Sequence, residues 1–124
     1  MANPNIVNVT AIYGTTTFLA PANTTANVLL SNAASSGLVY KINQIVCANV
    51  TGSAANVTVS IDNAAAGAGT DFPVVSAVSV PANASLIAVD KTTAIYLMEN
   101  QSIVVTSGTS SAISYTISYE SIAS

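Results

Sequence analysis

The chain has 124 residues, enough for one domain whose core needs neither a metal nor a disulfide framework. Only Lys41, Lys91, Asp62, Asp71, Asp90, Glu99 and Glu120 are ionised at neutral pH, for a net charge of −3. A compact protein of this mass exposes on the order of 6,000 Å², or roughly one charge per 900 Å², far sparser than an ordinary soluble surface. Two lysines cannot neutralise a run of phosphates, which excludes nucleic acid as a partner. A surface of Ser, Thr, Asn and Ala suits contact with other proteins, because few charges must be desolvated on association.

Alternation of apolar and polar residues, with Val, Ile, Thr and Tyr broken by Gly, Pro and Asn, predicts eight to ten strands. In chain order they cover residues 6–13, 16–20, 26–31, 38–50, 55–62, 74–80, 85–89, 95–98, 102–106 and 112–121. The fold expected is all-β, an antiparallel two-sheet β-sandwich of jelly-roll or Ig-like type. Val57, Val59, Ile61, Ile113, Tyr115 and Ile117 are expected to face inward. In segment 38–50 the apolar phase changes between Ile42 and Ile45, which predicts a β-bulge near Asn43-Gln44. Thr51-Gly52-Ser53 reads as a hairpin turn between two strong strands, and Pro21, Pro73 and Pro81 as strand borders. Residues 64–70, almost only Ala and Gly, read as a loop without a fixed backbone. A faint echo about 60 residues apart, Pro21-Ala22-Asn23 with Pro81-Ala82-Asn83 and Val39-Tyr40 with Ile95-Tyr96, raises the question of a duplicated half.

No apolar run approaches the roughly 20 residues of a membrane-spanning helix, so no membrane partner is expected. Met1-Ala2-Asn3-Pro4-Asn5 carries no basic residue and leads into no signal-length apolar stretch, so synthesis in a cytoplasm is the expectation.

Catalysis by a nucleophile beside a base is hard to assemble without histidine and with two lysines, so the chain is read as not an enzyme, with no cofactor and no metal. Asp62 and Asp71 flanking a Gly-rich segment resemble a calcium loop only thinly. Cys47, in an apolar run, reads as a small buried hydrophobe. Triplets Asn-X-Ser/Thr begin at Asn8, Asn23, Asn49, Asn56, Asn83 and Asn100 and follow from composition. The tyrosines share the phase of their apolar neighbours, which makes them core or interface anchors rather than a ligand-stacking platform.

The sequence resembles small virion structural proteins of tailed phages, particularly myoviruses of marine cyanobacteria. The residues that carry the likeness are Asn3-Pro4-Asn5-Ile6-Val7 with Ile12-Tyr13-Gly14, Leu29-Leu30-Ser31-Asn32-Ala33-Ala34-Ser35-Ser36-Gly37 leading to Val39-Tyr40-Lys41-Ile42, and Val80-Pro81-Ala82-Asn83-Ala84-Ser85-Leu86. Ile95-Tyr96-Leu97-Met98-Glu99-Asn100-Gln101-Ser102-Ile103 and the closing Ser118-Tyr119-Glu120 extend it. Asn100-Gln101 departs from the acidic pair usual there.

The resemblance implies a virion structural protein with no catalytic residues to carry over, made in the host cytoplasm. Combined with the sparse charge, it leads to the expectation of a capsid decoration or cement protein on the exterior of the shell. Its partners would be the major capsid protein or other virion proteins, and it would be a homo-oligomer, with a trimer as the guess. The alternatives are a tail- or fibre-associated subunit and a host-surface glycan-binding module. Residues 1–5 are expected to form an extended arm ahead of a single domain, 6–124, with Asn3, Pro4, Asn5 and Ile6 as its partner contacts.

Overall fold

Nine strands and one short 3₁₀ turn make up the computed structural model, which describes residues 4–124. They are β1 (Ala11–Leu19), β2 (Asn27–Asn32), β3 (Leu38–Asn49), β4 (Ala55–Asp62), β5 (Asp71–Val80), β6 (Ser85–Val89), β7 (Ile95–Leu97), β8 (Gln101–Ser107) and β9 (Ile113–Ala123). The 3₁₀ turn, Lys91–Thr93, separates β6 from β7. One sheet runs β1-β9-β3-β6, with β7 also paired to β3, and the other runs β2-β8-β4-β5.

The pairing is nested. β1 pairs with β9, β2 with β8, β3 with β6 and β7, and β4 with β5, all antiparallel. A single long hairpin would have these pairs, and rolling it up adds β9 to β3 and β8 to β4. The result is a two-sheet sandwich with jelly-roll strand order, not the Ig-like order also expected.

The bulge expected in β3 is present. Ile42 opposes Tyr119 and Gln44 opposes Ser118, leaving Asn43 as the extra residue. Its effect on phase is the one the apolar pattern required, because Ile42, Ile45 and Cys47 are all fully buried. The core joins these to Val57, Val59, Ile103, Val105, Ile113, Tyr115 and Ile117, with Ile61 packed partly buried at its margin. Tyr115 of one sheet and Ser107 of the other share a buried hydrogen bond of 2.8 Å between hydroxyls, so the aromatic ring fills the core without stranding its polar end.

Two local expectations are corrected. Residues 6–13 and 16–20 do not form separate strands, because Gly14 and Thr15 pair in register with Glu120 and Tyr119 and β1 runs unbroken from Ala11 to Leu19. Thr51-Gly52-Ser53 is no hairpin turn, because β3 and β4 lie in different sheets. The buried Asn49 side chain holds this crossing: Nδ2 donates to the carbonyls of Ser53 (2.8 Å) and Val80 (3.0 Å), and Oδ1 accepts from the Thr51 N–H (2.9 Å) and hydroxyl (2.7 Å). Every hydrogen-bonding position of that amide is used, which a buried polar group requires.

Ile117 tests the core directly. Replacing it with Ala removes a fully buried side chain between the sheets and is expected to cost about 2 to 5 kcal/mol in urea unfolding. A loss below about 0.5 kcal/mol would contradict the packing described.

Candidate functional site

Four surface features are formed well enough to act. The first is the N-terminal segment. Asn5 Oδ1 accepts from the Val7 N–H (2.9 Å) and Asn5 O from the Asn8 N–H (3.1 Å), so this asparagine folds the chain into a turn. Thr10 N–H then donates to Ala123 O (2.8 Å), feeding the chain into β1. Pro4 and Ile6 line an apolar cleft of about 310 Å³ with Val39, Tyr96 and Met98. The segment therefore lies over its own sheet, which accounts for Val39 being buried on the outward phase of β3. Of the four residues expected to contact a partner, Pro4 and Ile6 meet in this cleft, Asn5 makes the turn, and Asn3 lies outside the described residues.

A polar cleft of about 380 Å³ is lined by Asn43, Gln44, Asp90, Lys91 and Ser118. Two aligned irregularities create it. β6 pairs with β3 as far as Ile45 and β7 resumes at Ile42, so the bulged residues lack a neighbour on that side. Asp90 caps the 3₁₀ turn by accepting from Thr92 N–H (2.9 Å) and its hydroxyl (2.6 Å). Those Thr92 bonds hold the Asp90 carboxyl below its ordinary value. Asn43 Nδ2 donates to Glu120 Oε1 (3.1 Å) and Ser118 Oγ bonds Thr16 Oγ1 (3.0 Å). The cleft can donate and accept hydrogen bonds, and it contains no nucleophile paired with a base.

The third feature is the β4–β5 loop, residues 63–70, which covers the outer face of the second sheet. It is a loop as expected, but its backbone is fixed. Asp62, fully buried, accepts at Oδ1 from Ala64 N–H (2.7 Å) and Gly69 N–H (3.0 Å). Ser31 and Ser102 donate their hydroxyls to the carbonyls of Ala65 (2.5 Å) and Ala64 (2.7 Å). Small residues are needed for the close approach. A Cβ at Gly67, whose φ is +73°, would lie 2.9 Å from Val28 Cγ2, and one at Gly69 would lie 2.0 Å from Asn63 Oδ1.

Asp62 Oδ2 has no partner among the described residues. Asp71 stands directly opposite it across the β4–β5 pair. A proton on Asp71 would supply the missing donor, and that hydrogen bond to Asp62, then burial, then the Asp62 charge raise the Asp71 carboxyl above its ordinary value. No group of three or more His, Cys, Asp or Glu side chains that could hold a metal occurs among the described residues.

The fourth feature is the free side of β1, where Ile12, Tyr13 and Phe18 are 53%, 68% and 77% exposed. The tyrosines thus divide: Tyr115 is core, Tyr40 and Tyr119 pack as a tilted pair with ring centroids 5.0 Å apart, and Tyr13 and Tyr96 are exposed. Sequence phase placed Tyr13 with the apolar residues, but β1 is an edge strand and its inward phase is not covered at that end. Cys47 lies wholly within the core, where burial pushes its thiol up to about 12.

Two measurements check the loop. Gly67→Ala should destabilise by about 1 to 3 kcal/mol, from the left-handed φ and the clash with Val28, whereas Gly52→Ala, with nothing within 4 Å, should change little. Asp71 binds its proton more tightly folded than unfolded, so its contribution is complete below the ordinary carboxylate value of about 3.9 and is lost as pH rises through the raised value. Asp71→Asn keeps a donor at every pH. Relative to the native protein, its urea midpoint should gain as pH goes from 3 to 7, by no more than about 1 kcal/mol because Asp71 is exposed and screened.

No family model matches the sequence, and no curated protein matches it. Among solved structures, the chain superposes on one from Bacillus endospore appendages, which form a family of disulfide-linked pili. The TM-score is 0.54 at 14% identity, over 100% of this chain and 98% of that one. At that identity the likeness shows a shared sandwich fold.

Proposed function

We propose that this chain is a non-enzymatic structural subunit of a phage virion, a decoration or cement protein packed on the exterior of the capsid against the major capsid protein or other virion proteins. The observation that carries the reading is a complete sandwich with a nearly uncharged exterior. Its exposed area, 6156 Å², is close to the roughly 6,100 Å² expected of a compact monomer of this mass, so the fold needs no partner to fill its core. Association would therefore use finished surfaces, and these carry few charges to desolvate. The virion assignment itself comes from the sequence resemblance.

The pilus neighbour supports a building-block role in general terms, since it too is an assembly subunit on a sandwich fold. Its mode of linkage does not transfer. The single cysteine here is buried, so assembly would be non-covalent. The contact patch is the N-terminal segment together with the cleft beneath it, where Ile6, Val7, Tyr96 and Met98 are all exposed. The polar cleft at Asn43, Gln44, Asp90, Lys91 and Ser118 is where the alternative, host-surface glycan binding, would be sought.

Removing residues 2–5 takes away none of the described strands and should leave the circular dichroism of the sandwich unchanged. Occupancy on purified particles should fall several-fold. Full occupancy of the truncated protein would overturn the contact assignment, and absence of the native chain from purified particles would overturn the virion reading.

A further inference from the structure

The four sheet edges are not alike. On β5, Pro73, two register shifts and Ala77 at φ +47° break the free side, and Asp71 charges it. The β6/β7 edge is interrupted by the 3₁₀ turn, with Asp90 and Lys91 at the break. The third edge, β2, is six residues long, has a register shift after Val28 and is tied to the β4–β5 loop through Ser31. Each of these devices is known to block strand addition. By contrast, β1 has none: nine residues, AIYGTTTFL, pair with β9 without a shift, and they include no charge and no proline.

We infer that β1 pairs antiparallel with β1 of a second copy about a two-fold axis at Thr15, joining two sandwiches through one continuous sheet. The sequence of the strand selects both occupant and register. With Thr15 opposite its own copy, Ile12 opposes Phe18, Tyr13 opposes Thr17, Gly14 opposes Thr16 and Ala11 opposes Leu19. Ile12 and Phe18, the exposed apolar pair on the outer face, thereby cover each other from both sides of the axis. A register shift of two residues, the smallest that keeps opposed side chains on one face, moves the axis to Gly14 or Thr16 and sets Ile12 against Thr16 or Phe18 against Gly14, which loses that pairing.

Charge does not oppose the arrangement. The nearest carboxylate on the outer face is Glu120, one strand inward opposite Gly14. Two copies of it would sit three strand spacings apart, about 14 Å, beyond the Debye length of about 8 Å at physiological salt.

This interface rests on the reading of the chain as an assembly subunit and not on where the assembly resides, so a sedimentation result and a virion copy count fail separately. Sedimentation of the native full-length chain at tens of micromolar should show a dimer. Thr15→Lys and Thr15→Asp, both at an exposed position, should each sediment as folded monomers, and an equimolar mixture should restore the dimer. Thr15→Cys should cross-link on mild oxidation while Thr17→Cys should not, since opposed residues in an antiparallel pair fall within disulfide reach and the buried Cys47 stays out of the reaction. A monomeric native protein, a dimer indifferent to charge at Thr15, or cross-linking at Thr17 in preference to Thr15 would each overturn the proposal.

Discussion

Pairing of β9 along both of its sides, with β1 and with β3, is the interaction on which the rest of the sandwich depends. β9 contributes Ile113, Tyr115 and Ile117 to the core, and Tyr115 ties the two sheets through Ser107. It is also the last strand of the chain, so Ala11 has no partner until Ala123 has formed. Such long sequence separation makes the closing step entropically expensive and folding slow compared with a helical bundle of this size. The bulge at Asn43 belongs to the same interaction. A twelve-residue strand clamped by β9 keeps its apolar side chains on one face only by absorbing one extra residue.

Uncharged polar residues do structural work that ions perform in more highly charged proteins. Asn49 and Asn32 are both buried, and each gathers backbone carbonyls that the strand ladders leave unpaired. Asn32 Nδ2 donates to the carbonyls of Leu38 (3.0 Å) and Leu97 (3.1 Å) and its Oδ1 accepts from Ser36 (2.5 Å). Neither residue needs a counter-charge, so the interior avoids the desolvation cost of a buried ion pair. Asp62 and Glu99 are the exceptions, Glu99 having both carboxylate oxygens buried with no partner among the described residues. The Asp62 side chain organises the β4–β5 loop through two N–H donors to Oδ1, while Oδ2 has no partner among the described residues and Asp71 stands opposite across the β4–β5 pair.

Period-two alternation made the strands legible, and β4 and β6 match the sequence reading residue for residue. The bulge was legible for the same reason, because a phase change in a continuous apolar strand has few other causes. The connections were not legible. A short link between two strong strands ordinarily reverses within a sheet, and only the buried Asn49 side chain, which looks in sequence like another surface asparagine, distinguishes a crossing from a hairpin. The Ala/Gly segment misled in the other direction. Its composition suggests freedom, whereas Gly67 and Gly69 are there because neighbouring atoms leave no room for a Cβ. Of the expected contact residues, Pro4 and Ile6 do share a cleft, but the surface under them comes from β3, β7 and the turn that follows β7, which local sequence could not bring together.

The distribution of charge follows from the edges. A jelly roll has four, and each exposed ladder is a template for another strand. With so few ionised residues, this chain places Asp71 on β5 and the Asp90-Lys91 pair at the β6/β7 break, sets Lys41 and Glu120 at adjacent positions in the middle of the first sheet, and leaves β1 and β2 without any. The shorter of these, β2, is protected by geometry instead, through its register shift and the loop anchored at Ser31. What distinguishes β1 is therefore the combination of length, regular register, exposed Ile12, Tyr13 and Phe18, and missing protection, rather than apolar exposure alone. Shielding three edges and leaving the longest regular one bare confines strand addition to a single place and direction, which is what separates a closed assembly from open-ended aggregation.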